Sequence, residues 1–230
     1  MTPIGLYYAD TRNTHAAAID ALVTAEDRAR LSPAARPLRR AQYLAGRALL
    51  RFALERWTGL PAAAHRFRVR DGGKLECIDG PAISVSHDDE RIAVALGSQG
   101  DIGIDVQHVE QRRRTADIAR RHFSDAENAW LHGARPDAFY MLWVLKEAYL
   151  KARGTGLAGG LGSLECRVEP PVIEAKSDVP SALALYTLGD AYLAVAALAC
   201  GVGEIRAECW QPSHAVETPP PRLVATNEAA

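Results

Sequence analysis

Apolar positions recur along the chain in two rhythms. Between Arg39 and Trp57, Leu44, Ala48 and Phe52 form one row at four-residue steps, with Ala41, Ala45 and Leu49 beside it. That is the spacing of an amphipathic helix, and Gly59 and Pro61 close it. A second helical rhythm runs from Phe139 to Gly156, where Leu142, Leu145 and Tyr149 make a stripe to be buried. Pro136 stands near its start, and Gly154 and Gly156 at its end. Short β-branched runs follow each helix. After the first come Phe67–Arg70, Leu75–Ile78, Ala82–Ser86, Arg91–Leu96 and Gly100–Gln107; after the second come Leu164–Val168, Leu183–Thr187, Tyr192–Leu198 and Glu204–Trp210. Ile4–Ala9 reads as a strand, His15–Val23 as a short helix, and Glu26–Arg40 as an arginine-rich connection broken by Pro33 and Pro37. Ser124 with Glu127 three residues on is a capping box opening a further helix.

Each half thus runs long helix, turn, then antiparallel strands. The expected fold is α+β and pseudo-duplicated, two lobes of which each packs a long helix on a small antiparallel sheet. The halves are 1–100 and 101–212, and the proline-bearing segment 213–230 reads as a disordered tail.

Composition narrows the class. At 230 residues, 48% apolar and 24% charged, the chain is ordinary for a globular protein with a sizeable core. Leu193–Cys200 is its most apolar segment and is far too short to cross a membrane. The N-terminus lacks a signal peptide's basic start and apolar centre, so the expectation is a cytoplasmic protein, and a monomer. Cys77, Cys166, Cys200 and Cys209 show no C-x-x-C pairing and read as reduced thiols. Net charge is −1, yet eleven arginines and one acid, Glu55, fall between Arg28 and Arg70. A solvated basic face, a phosphate-rich ligand or an acidic partner all fit this run. Nucleic acid is disfavoured, because no helix-turn-helix, zinc finger or RNA-binding aromatic motif accompanies it.

Candidate chemistry lies where charge interrupts these patterns. Trp143, Glu147 and Lys151 are spaced i, i+4, i+8 on one helical face; alone, the last two fit an ordinary helical ion pair. Asp105 interrupts a β-branched run, where an aspartate costs free energy unless its charge has a partner. Asp105 and Glu147 together could hold a hard divalent cation, with Lys151 one turn beyond to meet phosphates. Ser86-His87 closes one strand and Lys74 follows the Asp71-Gly72-Gly73 turn. Alone, the Ser-His pair reads as a capped turn, and no downstream acid suggests a hydrolase triad.

Gly103-Ile104-Asp105, followed some forty residues later by Trp143-x-x-Lys146-Glu147-x-x-x-Lys151, resembles the signature of the 4'-phosphopantetheinyl transferases of the Sfp type. The resemblance extends from about Thr24 to Leu161. It implies a pseudo-twofold fold with the ligand in the cleft between lobes. It further implies Mg²⁺ held by Asp105 and Glu147, and coenzyme A as substrate, bound by Lys74, Ser86, His87 and Lys151, with Arg40 and Arg47 as additions. The implied reaction moves 4'-phosphopantetheine to a serine of an apo acyl or peptidyl carrier protein. Asp105, Glu147 and Lys151 would be the catalytic residues, Lys146 being assigned by the motif alone. Phe123-Ser124 with Glu127 also matches, although the capping box explains Glu127 structurally. Gln107 stands where the family commonly has a second acid; as a metal ligand it offers an amide oxygen without charge. That departure keeps open a catalytically impaired coenzyme A-binding module.

Overall fold

A computed structural model describes residues 2–110, 114–199, 202–212 and 218–227. Two sheets pack face to face between two long helices. The first has strand order β11-β1-β5-β4, formed by β1 (Thr2–Asp10), β4 (Ala82–Asp88), β5 (Arg91–Gly97) and β11 (Val202–Cys209). The second runs β6-β10-β9-β12-β8-β7, with β6 (Asp101–His108), β7 (Leu164–Glu169), β8 (Val172–Ser177), β9 (Ser181–Leu188), β10 (Ala191–Leu198) and β12 (Arg222–Thr226). A separate hairpin joins β2 (Phe67–Val69) to β3 (Leu75–Cys77).

The alternation of side chains along each strand sorts them into three cores. Tyr7, Ala9, Ile92, Val94 and Leu96 face α3 (Pro37–Thr58). Ile4, Leu6, Tyr8, Ala93 and Ala95 point the other way, onto Ile104, Val106, Leu193 and Val195 of the second sheet. That sheet's far face, with Leu183, Leu185, Ala194 and Ala196, packs on α6 (Ala138–Arg153). Strands covered on both sides need apolar residues throughout, and β5 and β10 have no residue that is more than marginally exposed.

Both long helices form where the periodicity predicts. Pro37, expected to break the chain, instead occupies the first turn of α3, where its missing N–H costs nothing. Within the expected connection lies a short helix, α2 (Ala25–Ala29), after α1 (Ala16–Leu22); Thr24 and Asp27 cap it reciprocally. The capping box at Ser124 opens α5 (Asp125–Gly133), preceded by α4 (Thr115–His122). Of the arginine run that leads into α4, Arg112 and Arg113 lie outside the described residues, as does Cys200. Cys77, Cys166 and Cys209 are free thiols.

Three expectations need correction. The sheets are not wholly antiparallel, since β1 and β11 pair in parallel. Consequently β11, assigned to the second half, returns to the first sheet, and the division at 101–212 is not one the chain respects. The expected disordered tail contributes β12, because Val224 and Ala225 supply a short apolar strand beside β9. Asn227 then fixes that strand's end, its carboxamide bonding Leu183 N–H and Ser181 C=O. No described helix is long and apolar enough to cross a membrane.

Candidate active site

From Ala138 to Leu150 every residue of α6 is buried except Trp143 and Glu147, and the partly exposed stripe continues to Lys151. One helical face has therefore been kept out of the core, and it faces the edge of β6. Phe139 and Trp143 stack there with centroids 5.8 Å apart. Lys151 does not pair with Glu147 one turn back. Its ammonium lies 2.7 Å from Asp105 Oδ1 and 2.8 Å from Ser86 Oγ, and Ser86 Oγ in turn donates to Asp105 Oδ1 at 2.8 Å. The ordinary helical ion pair is thus replaced by a triad drawn from β4, β6 and α6.

The close approach of β6 to α6 has a local cause. Gly103, two residues before Asp105, lies directly under the helix. A Cβ there would sit 1.9 Å from Ala148 O and 2.5 Å from Ala152 N. The glycine lets the strand run against helix backbone, and this carries Asp105 to Glu147 and Lys151. Asp105 is 6% exposed. Burial raises the Glu147 carboxyl above its ordinary range, Asp105 adds to the rise, and Lys151 opposes it. Two carboxylates that repel each other beside a single ammonium make a donor set for a hard cation. Among the described residues no group of three or more His, Cys, Asp or Glu is clustered for a metal. Mg²⁺ takes one or two carboxylates and fills its other positions with water and phosphate oxygens, and Asp105 and Glu147 are two carboxylates of that kind.

Lys151 also lines a cavity of about 290 Å³ between the halves, with Gly72, Gly73, Lys74, Leu75, Ile83, Ser84, Val85, Gly154 and Gly156. Lys74 enters this cleft, but its ammonium is already engaged: it donates to Asp101 Oδ1 at 2.7 Å and to the Ala152 carbonyl at the end of α6. Burial pulls its pKa below the ordinary lysine value. His87 adjoins the triad, and its Nε2 lies 2.6 Å from Arg39 Nη1. Burial and then the Arg39 charge hold the imidazole below its ordinary pKa, so the neutral ring accepts from the guanidinium.

The remaining candidates lie elsewhere. Arg40 is exposed on α3. Arg47 is 8% exposed within the first half, its Nε 3.2 Å from Tyr43 OH and 3.9 Å from Asp27 Oδ1, its guanidinium over the Phe67 ring. Lys146 is fully buried, with Nζ 2.7 Å from Glu127 Oε1 and bonds to the Leu161 and Leu164 carbonyls. Glu127 thus keeps its capping role and gains a buried partner. Gln107, on the strand face of Asp105, donates from Nε2 to Asp88 Oδ2 at 2.5 Å.

Three residues at this seam escaped the sequence reading as site residues: Arg39, Asp88 and Asp101. Gly103, named there only as part of the signature, carried a further signal as a glycine within a β-branched run. The other three act through partners 48, 19 and 27 residues distant, which local patterns do not reveal.

Comparisons with known proteins follow the same residues. Residues 101–195 match the family model of the 4'-phosphopantetheinyl transferase superfamily. A putative 4'-phosphopantetheinyl transferase of Synechocystis sp. is 32% identical over 152 residues, covering 63% of this chain and 62% of the relative. The 4'-phosphopantetheinyl transferase Sfp of Bacillus subtilis is 32% identical over 131 residues, 54% of this chain and 57% of its own. HetI of Nostoc sp., a 4'-phosphopantetheinyl transferase, is 28% identical over 186 residues, 76% and 75% of the two chains. The matched part of the chain spans about three fifths of the length of the first two of these relatives. The segment from Asp101 to Val195, the part of the chain that matches the superfamily model, contains Asp105, Glu147 and Lys151.

Proposed function

We propose that the protein transfers 4'-phosphopantetheine from coenzyme A to a serine of an acyl or peptidyl carrier protein and releases adenosine 3',5'-bisphosphate. The observation that carries this reading is the meeting of Glu147, Asp105, Ser86 and Lys151 at one edge of the interlobe cleft. In this reading the two lobes are a pseudo-duplicated pair and the ligand occupies the cleft between them. Asp105 and Glu147 would hold Mg²⁺, and Gln107 adds an uncharged oxygen. When bound, the ion neutralises charge on the pyrophosphate and the leaving group.

The chain's own residues supply the rest. Lys151 places an ammonium at the pyrophosphate and stabilises charge that develops on the departing phosphate. Ser86 holds that ammonium and the Asp105 carboxylate in register. His87, with Arg39 behind it, and Lys74 line the approach for the nucleotide end, and Arg40 adds an exposed charge on α3, whereas Arg47 is buried against Tyr43 and Phe67. Glu147, on the same face of α6 as Lys151, takes the serine proton. The serine oxygen forms a bond to the phosphorus that bears pantetheine. The bridging P–O bond breaks, and its electron pair leaves with adenosine 3',5'-bisphosphate. Phosphoryl transfer of this kind depends mainly on positioning and charge stabilisation, which this constellation offers.

Incubation with coenzyme A, Mg²⁺ and an apo carrier protein, followed by mass spectrometry of the carrier, tests the reading. The carrier is expected to gain one phosphopantetheine, and Glu147→Gln to lose more than tenfold in rate, about 1.4 kcal/mol in barrier or more. Turnover of Glu147→Gln within tenfold of wild type would remove Glu147 from the mechanism. Coenzyme A binding without any carrier modification would favour a binding module instead, the reading that Gln107 supports.

A further inference from the structure

β4 and β6 lie edge to edge, yet no backbone ladder joins them; side chains of β4 do so instead. Ser84 Oγ accepts the N–H of Ile104 at 3.0 Å, Ser86 Oγ that of Val106 at 3.3 Å, and Asp88 Oδ2 that of His108 at 2.7 Å. Alternate residues on one strand meet alternate N–H groups on the other. Hydroxyls suffice at the first two rungs, but the third is a carboxylate. It takes a second donor, Nε2 of Gln107 at 2.5 Å. This fixes the Gln107 carboxamide, since only Nε2 can donate and a carboxylate repels the amide oxygen. Oε1 makes no hydrogen bond with the described residues. Gln107 stands two residues from Asp105 and so on the same strand face, the face that Gly103 presses against α6.

We propose that Asp88 is a positioning residue for the cation site: it holds the Gln107 carboxamide with Oε1 turned toward the ion of Asp105 and Glu147. A charge-assisted bond to Nε2 also polarises the amide and makes its oxygen the stronger donor. An aspartate from the neighbouring strand thereby supplies negative charge behind a neutral ligand on β6. The inference rests on the proposed transfer site and deepens it.

Mn²⁺ titrated into the full-length protein, with free ion read by electron paramagnetic resonance, tests this without reference to turnover. Asp88→Asn keeps an acceptor for the His108 N–H but loses the charge-assisted acceptor for Gln107. It is expected to weaken Mn²⁺ binding about tenfold, the low end of what supporting partners of metal ligands contribute, with the melting temperature unchanged. Gln107→Ala, which leaves the seam's backbone contacts intact, is expected to weaken it comparably. The double variant should be no worse than the weaker single one, because both changes remove the same oriented oxygen. Wild-type affinity in Asp88→Asn, or fully additive losses in the double variant, would overturn the proposal. Should Asp88→Asn fail to fold, Gln107→Ala decides alone, and wild-type affinity there overturns it. Glu147→Gln separates the two readings. If it too binds Mn²⁺ as wild type does, the site itself is misassigned and both fall; if it loses the ion while Asp88→Asn keeps it, only the role of Asp88 fails.

Discussion

Lys146 and Glu147 are chain neighbours with opposite surroundings, because a helix turns about 100° per residue. Glu147 faces the seam with β6. Lys146 points into the second half's core, where Glu127 Oε1, two backbone carbonyls and the Phe123 ring surround its ammonium. The lysine of the motif is thus a structural charge that ties α6 to α5 and to the start of β7. Removing one member of a buried pair leaves the other uncompensated, which costs about 3–5 kcal/mol. Lys146→Met is therefore expected to lower unfolding free energy by that amount in urea denaturation. Adding Glu127→Gln should restore part of the loss. A single variant as stable as wild type would show that the pair is dispensable. The spacing of Glu147 and Lys151 was readable from the sequence, since one turn separates them. That Lys151 would turn to Asp105 and Ser86 was not, because a strand's edge brought those partners in from 46 and 65 residues away.

Packing of α6 on β6 turns on one residue without a side chain. At Gly103 any Cβ would overlap Ala148 O, and helix backbone cannot move aside as a flexible side chain can. Gly103→Ala should push α6 from the strand and separate Asp105 from Glu147. The expected loss is about 3 kcal/mol, the upper part of the range for overpacked cores, measured by denaturation. Loss of Mn²⁺ binding should accompany it. Gly133, at the end of α5, is the contrast: a Cβ there meets nothing within 4 Å. Gly133→Ala is expected to stabilise by up to about 1 kcal/mol through helix propensity. At this scale the sequence was largely legible. Both long helices, the helix-capping box and most strands follow from periodicity and turn residues. β8 and β12 were not, since β8 alternates exposed and buried positions too weakly and β12 follows a proline run that reads as disorder. The placement of β11 beside β1 is likewise beyond local pattern, because a parallel pairing over some two hundred residues leaves no mark on either strand.

Across the whole molecule the halves are joined three ways: through the face-to-face core of the sheets, through the β4–β6 seam, and at the far end of the cleft through Lys74. There the Asp71-Gly72-Gly73 turn presses on the end of α6, where a Cβ on Gly72 would lie 2.2 Å from Gly154 O. Lys74 then spans from the first half to Asp101 and to the Ala152 carbonyl at the negative end of the helix dipole. The resemblance makes Lys74 a coenzyme A contact, whereas its bonds make it a latch between the Asp71-Gly72-Gly73 turn and the end of α6. The two roles separate by experiment. Lys74→Ala removes both a latch and a candidate ligand charge, so its coenzyme A affinity should fall about tenfold or more. Asp101→Ala removes the ion-pair part of the latch, with the Arg70–Asp101 contact, and leaves the ammonium its bond to the Ala152 carbonyl and its charge for a phosphate. Because Asp101 is 45% exposed, the pair is worth under about 1 kcal/mol, and the affinity change should stay below about fivefold. Titration calorimetry with coenzyme A on both variants distinguishes the cases. Equal losses in the two would make the latch the whole role of Lys74, and a loss confined to Lys74→Ala would make it a direct ligand.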